Sequence, residues 1–206
     1  QIQMEIWLPA ENWNGKFLAV GNGGWAGTIS LDAVAAGLRR GYAAASNDTG
    51  HSDAGAQFAL SQDKLIDFAY RATHLTAVVA KQLIKAFYGN AASRNYFNGC
   101  STGGREGMLA SQRYPELFDG IVVGAPAMRP GHGNLAIELA QVQLNATQPA
   151  GISTPAGFDA AERRVIDREL TRQCDGQDGR TDGIIANVDM CRAFDASALA
   201  CRAGQT

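Results

Sequence analysis

Asn95-Tyr96-Phe97-Asn98-Gly99-Cys100-Ser101-Thr102-Gly103-Gly104-Arg105 decides how the rest of this chain is read. Within it, Gly99-x-Ser101-x-Gly103 has the pattern of a nucleophile elbow, which needs a strand before it, a helix after it and a sharp turn between. Tyr96 and Phe97 end a short aromatic run that reads as a strand. Met108, Leu109, Ser111 and Gln112 read as a helix that stops near Tyr114-Pro115. A serine on such a turn has a strained backbone, and the small neighbours Gly99 and Gly103 leave it room. Its hydroxyl would stand at the carboxyl end of a strand and the amino end of a helix. There, free N–H groups and the positive end of the helix dipole face a developing oxyanion. A plain helix N-cap also places a serine at this position, but it does not call for a glycine on both sides.

Upstream, Lys16-Phe17-Leu18-Ala19-Val20 reads as a short buried strand that runs into Gly21-Asn22-Gly23-Gly24-Trp25-Ala26-Gly27. The spacing is not Gly-x-Gly-x-x-Gly and no Gly-Lys-Ser/Thr follows, so a phosphate cradle is not indicated. The second half of an oxyanion hole suits the loop better, because hydrolases with this elbow take one N–H from the residue after the nucleophile and another from a loop after an early strand. A tight turn is the plain alternative. Residues 1–8 alternate, with Ile2, Met4, Ile6 and Leu8 on one face, and predict a strand stopped by Pro9. The front of the chain, Gln1 to Glu5, already reads as structure, so the chain is expected to begin inside a domain.

Leu31 to Leu38 predicts a short helix and Tyr42 to Ser46 a strand of small residues. Asn47-Asp48-Thr49-Gly50-His51-Ser52-Asp53 is a polar loop. His51 precedes the serine, whereas hydrolases with this elbow run Ser, Asp/Glu, His, so a loop-structuring or substrate-facing role is expected. Residues 63–88 predict the longest helix, capped by Gly89 and carrying His74 in a packing role. Phe118 to Gly124 predicts a strand. Strands and helices thus alternate from residue 16 to residue 124, which predicts an α/β fold with a parallel-dominated sheet covered by helices on both faces.

After Pro126 the alternation stops. Met128 to Asn134, including His132, reads as a linker. Leu135 to Gln143 reads as a helix, and Thr154 to Phe158 leads into an amphipathic helix over 159–172. The expected division is 1–128 and 129–206. The chain has 206 residues, 46% hydrophobic and 18% charged, which is the composition of a globular protein. A formal net charge of -2 argues against a nucleic-acid partner or an anionic membrane surface. No apolar run approaches the ~20 residues of a membrane span.

The second informative stretch is Cys174-Asp175-Gly176-Gln177-Asp178-Gly179-Arg180-Thr181-Asp182-Gly183-Ile184-Ile185. Asp175, Asp178 and Asp182 crowd together between glycines, and carboxylates at that density repel unless a cation sits among them. A hard, oxygen-rich loop suits calcium, with the carbonyls of Arg180 and Ile184 available to turn inward. It is not an EF-hand, because the spacing differs and the bidentate glutamate is absent. A solvated acidic turn is the alternative. Cys174 and Cys191 bracket the loop, and a bridge between them would contribute ~3 kcal/mol in the chain-entropy model. None of the four cysteines forms a Cys-x-x-Cys pair, so disulfides in an oxidising compartment are expected rather than a zinc ribbon. Cys100 and Cys201 are left over; a bridge between the two is one alternative, but one lies in the elbow and the other near the end of the second lobe, so each is expected to have its partner outside this chain.

Gly99-Cys100-Ser101-Thr102-Gly103-Gly104-Arg105, taken with Phe118-Asp119-Gly120-Ile121-Val122-Val123-Gly124-Ala125-Pro126, resembles the tannase/feruloyl esterase family. The aspartate loop is similar to that family's calcium site in its lid domain. Lys16-Phe17 with the Gly21 to Gly27 loop, and Asp48-Thr49-Gly50-His51-Ser52, fit the same resemblance, which spans nearly the whole chain. It implies an α/β-hydrolase core followed by the start of an inserted lid domain. The implied activity is that of a secreted or periplasmic serine esterase acting on carboxylic esters of phenolic or aromatic acids, of feruloyl, galloyl or terephthalate type. It further implies Ser101 as nucleophile, the N–H groups of Thr102 and of Gly23 or Gly24 as the oxyanion hole, and structural calcium on Asp175, Asp178, Asp182 and the carbonyls of Arg180 and Ile184. In that family the cysteine before the serine bridges to one beside the catalytic histidine, and the acid and histidine come after the lid. This chain is therefore expected to stop inside the lid, to lack the triad Asp and His and to be inactive by itself. A non-catalytic, calcium-stabilised binding module and an aliphatic carboxylesterase are the competing expectations.

Overall fold

Phe17, Ala19 and Val20 are buried in a strand whose neighbours on both sides are also strands, and the fold is built outward from it. The computed structural model describes residues 1–52, 55–149 and 156–200. The sheet consists of β1 (Met4–Trp7), β2 (Lys16–Val20), β3 (Ala43–Asn47), β4 (Arg94–Cys100) and β5 (Gly120–Gly124). Its spatial order is β1-β3-β2-β4-β5. All neighbours are parallel except β1, which pairs antiparallel with β3.

Helices make the crossovers: α1 (Leu31–Arg39) between β2 and β3, α2 (Gln62–Ile66) and α3 (Ala72–Tyr88) between β3 and β4, and α4 (Thr102–Arg113) between β4 and β5. The two-residue period of the strands divides their side chains between two cores. Phe17, Ala19, Ala43, Ala45 and Phe97 pack against Ala77, Ala80 and Ile84 of α3 and Ala110 of α4. Val20 and Ala44 pack against Val34 of α1 on the other face. Small residues on β3 and α3 let helix and sheet approach closely, while burying a large side chain such as Phe17 or Ile84 contributes roughly 1.5–3 kcal/mol. In β1, Ile6 joins the first core and Trp7 the second, as alternation requires.

The helix expected over 63–88 is interrupted. Asp67–Arg71 forms one π-turn between α2 and α3. The wide turn frees carbonyls, and the Arg105 guanidinium on α4 donates to those of Phe68 (3.1 Å) and Ala69 (3.2 Å). Gly89 ends α3 in the left-handed region, at φ 76°. β5 starts two residues later than expected: the backbone N–H of Asp119 reaches Asn95 O, and its carboxylate takes the Asn95 N–H in return, outside the strand ladder. No helix of the described residues is long and apolar enough to cross a membrane.

The chain divides into two compact units, the first Gln1–Pro130 and the second from Gly131 onward. The linker expected over 128–134 is largely helix, because α5 runs Pro130–Asn145. Proline is favoured at the first helical position, where its missing N–H has no partner to lose. α6 (Ala160–Cys174) opens on a capping box between Asp159 and Glu162. Cys174 and Cys191 form a disulfide with Cα atoms 5.3 Å apart. Cys100 is a free, exposed thiol. Asp53, Thr154, Pro155 and Cys201 lie outside the described residues.

Candidate active site

Ser101 lies between the last residue of β4 and the first of α4, with φ 58° and ψ -116°. A serine N-cap has extended backbone angles and accepts a helix N–H on its side chain; Ser101 does neither. Left-handed backbone at a residue with a Cβ costs roughly 1–2 kcal/mol, so the surroundings have to enforce it. They do so through three backbone bonds: Ser101 N–H to Gly124 O (3.0 Å), Ala127 N–H to Ser101 O (3.1 Å) and Arg105 N–H to Ser101 O (3.0 Å). Ser101 itself is exposed, whereas Thr102, Gly103 and Gly104 behind it are buried. Both flanking glycines are needed: a Cβ on Gly99 would stand 2.3 Å from Gly103 O, and one on Gly103 would stand 3.0 Å from Asn22 O and 3.1 Å from Gly21 Cα.

The glycine-rich loop after β2 is seated on this elbow. Gly21 N–H extends the β2–β4 ladder to Asn98 O (3.0 Å). Gly103 N–H then donates to Asn22 O (2.8 Å) and the Thr102 hydroxyl to Gly24 O (2.8 Å). A Cβ on Gly21 would meet Gly103 Cα at 2.6 Å, so the approach is one that only glycine permits. Gly23 and Gly24 remain exposed, and their N–H groups donate to no described residue. The N–H of Thr102 is one of the free donors of the first helical turn. Ser101, Thr102, Gly23 and Gly24 are thus brought to one place, with Ser101, Gly23 and Gly24 exposed to solvent.

The histidines have other tasks. His51 is 3% exposed; its Nε2 donates to Trp25 O (2.8 Å), its Nδ1 lies 3.0 Å from the Thr49 hydroxyl, and its ring stacks on Phe58 at 4.1 Å. It braces the far end of the glycine-rich loop. His74 packs its ring 4.5 Å from Tyr114. His132 falls in α5 of the second unit.

Sequence reasoning missed Glu106 and Asn22. Glu106 is 2% exposed, and Oε2 accepts the Asn22 N–H at 3.3 Å. Burial pushes its carboxyl up to about 7, against the opposing pull of Arg105 and the Asn22 N–H. The available signal was a carboxylate set among Gly103, Gly104 and Gly107, a small-residue surface that can only pack against something. Arg105 is also largely enclosed, stacks 4.7 Å over Phe68, and burial lowers its pKa. Phe68 in turn lies 5.6 Å from Trp25, so the elbow helix, the π-turn and the loop are one packed assembly.

In the second unit, the aspartates of the acidic loop are used as backbone acceptors. Asp175 takes the N–H groups of Asp182 (3.3 Å) and Gly183 (3.0 Å). Asp178 takes those of Arg180 (2.9 Å) and Ala186 (3.0 Å), and Asp182 that of Ile184 (3.1 Å). Ile184 O accepts from Ala186 N–H at 3.1 Å. The donor set is all hard oxygen, the chemistry that calcium prefers. The arrangement is not that of a formed cage: among the described residues no three His, Cys, Asp or Glu side chains converge as a metal site. Among the described residues the partners of these carboxylates are the loop's own N–H groups.

The family model described as tannase and feruloyl esterase matches residues 1–206. The chain is 39% identical over 193 residues to the Neosartorya fischeri protein named "Probable feruloyl esterase B-2", covering 93% of this chain and 35% of that one. Over 208 residues it is 38% identical to "Probable feruloyl esterase B-1" of Aspergillus oryzae, covering 100% of this chain and 37% of that one. The crystal structure of feruloyl esterase B from Aspergillus oryzae superposes with a TM-score of 0.82 at 38% identity, covering 100% of this chain and 40% of that chain. Tannin acyl hydrolase from Aspergillus niger gives 0.72 at 28% identity, covering 96% and 37%. The mixed sheet with helices on both faces is of the α/β-hydrolase type. The chain spans little more than a third of the length of these relatives.

Proposed function

Because the chain belongs to the tannase and feruloyl esterase family, we propose that it carries the nucleophile half of a serine esterase for carboxylic esters of phenolic acids. The observation that carries this reading is the strained backbone of Ser101, φ 58°, held between β4 and α4 with the glycine-rich loop bonded to the next two residues. Ser101 Oγ attacks the ester carbonyl. The carbonyl oxygen becomes an oxyanion and accepts the N–H of Thr102 and of Gly23 or Gly24. The alkoxide or phenolate leaves, and water then releases the acid from the acyl-serine. The base that takes the serine proton belongs, in this reading, to the part of the relatives' length that this chain does not span. His51 is committed on both ring nitrogens and His74 to Tyr114.

In this reading the second unit is the start of an inserted lid domain, and its acidic loop takes a structural calcium ion on Asp175, Asp178 and Asp182 with the carbonyls of Arg180 and Ile184. Such an ion would hold the loop rather than take part in the chemistry. The Cys174–Cys191 disulfide supports an oxidising, extracytoplasmic setting.

The test uses the longest native chain that contains these residues. A fluorophosphonate probe should label it, and Ser101→Ala should abolish the labelling and lower kcat by roughly 10⁵–10⁶. Labelling that survives Ser101→Ala rejects the assignment.

A further inference from the structure

Resting on the esterase reading, we propose that Glu106 is a positioning residue: through Asn22, its buried carboxyl fixes the Gly21–Gly24 loop against the elbow helix and so sets the aim of the loop's N–H groups. Asn22 is the joint. Its carbonyl accepts from Gly103 N–H (2.8 Å), and its side-chain amide donates to Thr28 O (2.8 Å) and Asn47 O (2.7 Å). Its own N–H is the group that Glu106 Oε2 holds, at 3.3 Å. The next residues along are Gly23 and Gly24, so a shift at Asn22 is passed directly to the proposed oxyanion donors.

The protonation state follows from burial, which outweighs the opposing pull of the Asn22 N–H and of Arg105. Two buried side-chain oxygens have no partner among the described residues, Asn22 Oδ1 and Glu106 Oε1, and they belong to the two residues of this pair. Both are acceptors. A protonated Glu106 keeps Oε2 as the acceptor of the Asn22 N–H and carries no uncompensated buried charge. Burial pushes the carboxyl in the same direction, up to about 7. Among the described residues Arg105, on the same helix, is the one charged side chain acting on it, and its guanidinium is already committed to the carbonyls of Phe68 and Ala69. The loop brings Gly21 and Asn22 to the carboxyl, and neither titrates. An ionised Glu106 would put a negative charge on the carboxyl that holds Asn22, the residue next to the proposed donors at Gly23 and Gly24. The protonated enzyme is therefore the competent one, and activity falls as pH rises through the folded-state value near 7.

Turnover of 4-nitrophenyl ferulate by the longest native chain that contains these residues tests this. Glu106→Leu should lower kcat by about 10²-fold with KM within about threefold, the scale of losing one oxyanion donor. Glu106→Gln keeps an acceptor for Asn22 N–H and cannot ionise. It should retain kcat within about threefold at pH 6 and lack the alkaline fall near 7 that the wild type shows. Should the leucine variant fail to fold, the comparison of glutamine variant and wild type decides. Coincident alkaline limbs in those two overturn the proposal, as does an unchanged kcat in a folded leucine variant. A wild type that neither turns over the ester nor takes the fluorophosphonate label overturns the esterase reading and this proposal together, whereas an active wild type indifferent to Glu106 overturns this proposal alone.

Discussion

The elbow and the acidic loop are both glycine-rich turns of about a dozen residues, and they are held in opposite ways. At the elbow the ties run largely from backbone to backbone, Ser101 to Gly124, Gly103 to Asn22 and Gly21 to Asn98, and the residues behind the serine are buried. In the acidic loop the ties run from backbone to carboxylate, through Asp175, Asp178 and Asp182, and apart from the buried Asp175 most of the loop is exposed. A turn of the first kind is set by the fold and has no room for a Cβ. A turn of the second kind has room, and its shape answers to whatever competes for the carboxylates.

Adding one carbon to each turn exposes the difference most sharply. In Gly99→Ala the new Cβ would meet Gly103 O at 2.3 Å and Gly103 Cα at 2.8 Å, both backbone atoms of the helix that presents Ser101. Ordinary overpacking costs ~1–3 kcal/mol. Here neither partner is a side chain that can rotate away, so the loss should exceed that range, as read from the urea midpoint of the first unit. In Gly176→Ala the nearest atom is Thr181 Oγ1, at 3.7 Å, and the change should stay within about 0.5 kcal/mol. Equal effects at the two positions would break the distinction.

A cation should act on one turn only. If the acidic loop binds calcium, the second unit gains stability as RT ln(1 + [L]/Kd), about 2.7 kcal/mol at 100 times Kd, while the elbow's unit gains nothing. Calorimetry with calcium and then with a chelator measures this. The transition of the disulfide-closed second unit should rise and then return, and Asp178→Asn should blunt the rise. A transition that ignores millimolar calcium leaves the N–H groups of Arg180 and Ala186 as the loop's own counter-charge and removes calcium from the account.

The contrast also explains what could be read from the chain. β2, the elbow and α4 were legible because strand pattern, glycine spacing and helix onset all lie within a few residues of one another. The Cys174–Cys191 bridge was legible from the loop it brackets. What stayed hidden depends on partners distant in sequence. The π-turn at Asp67–Arg71 is supported by Arg105, more than thirty residues away. Pro130-Gly131-His132-Gly133 has the composition of a linker, yet it starts α5, because a proline at the first helical position forfeits no hydrogen bond. Glu106 looks like any helical glutamate until tertiary packing leaves it 2% exposed against Asn22. His51 showed only that it did not fit the expected order of a triad, and the structure assigns it to Trp25 and Thr49.

The smallest effect tests how redundant the seating of the loop is. Thr102 donates its hydroxyl to Gly24 O at 2.8 Å, and Thr102→Val removes that donor while keeping the branched shape at the start of α4. Gly24 is exposed, so water can take over at its carbonyl, and the full penalty of a buried orphan does not apply. The loss should be about 1 kcal/mol, the net worth of an ordinary hydrogen bond. Activity should fall less than about tenfold, because 1.4 kcal/mol is the energy of a decade in rate. Gly103 N–H still holds Asn22 O at 2.8 Å, so the loop stays on the elbow. A drop of a hundredfold in kcat at unchanged stability would mean that this one side chain, rather than the backbone pair, sets the donors, and the elbow would then belong with the acidic loop as a turn held by side chains.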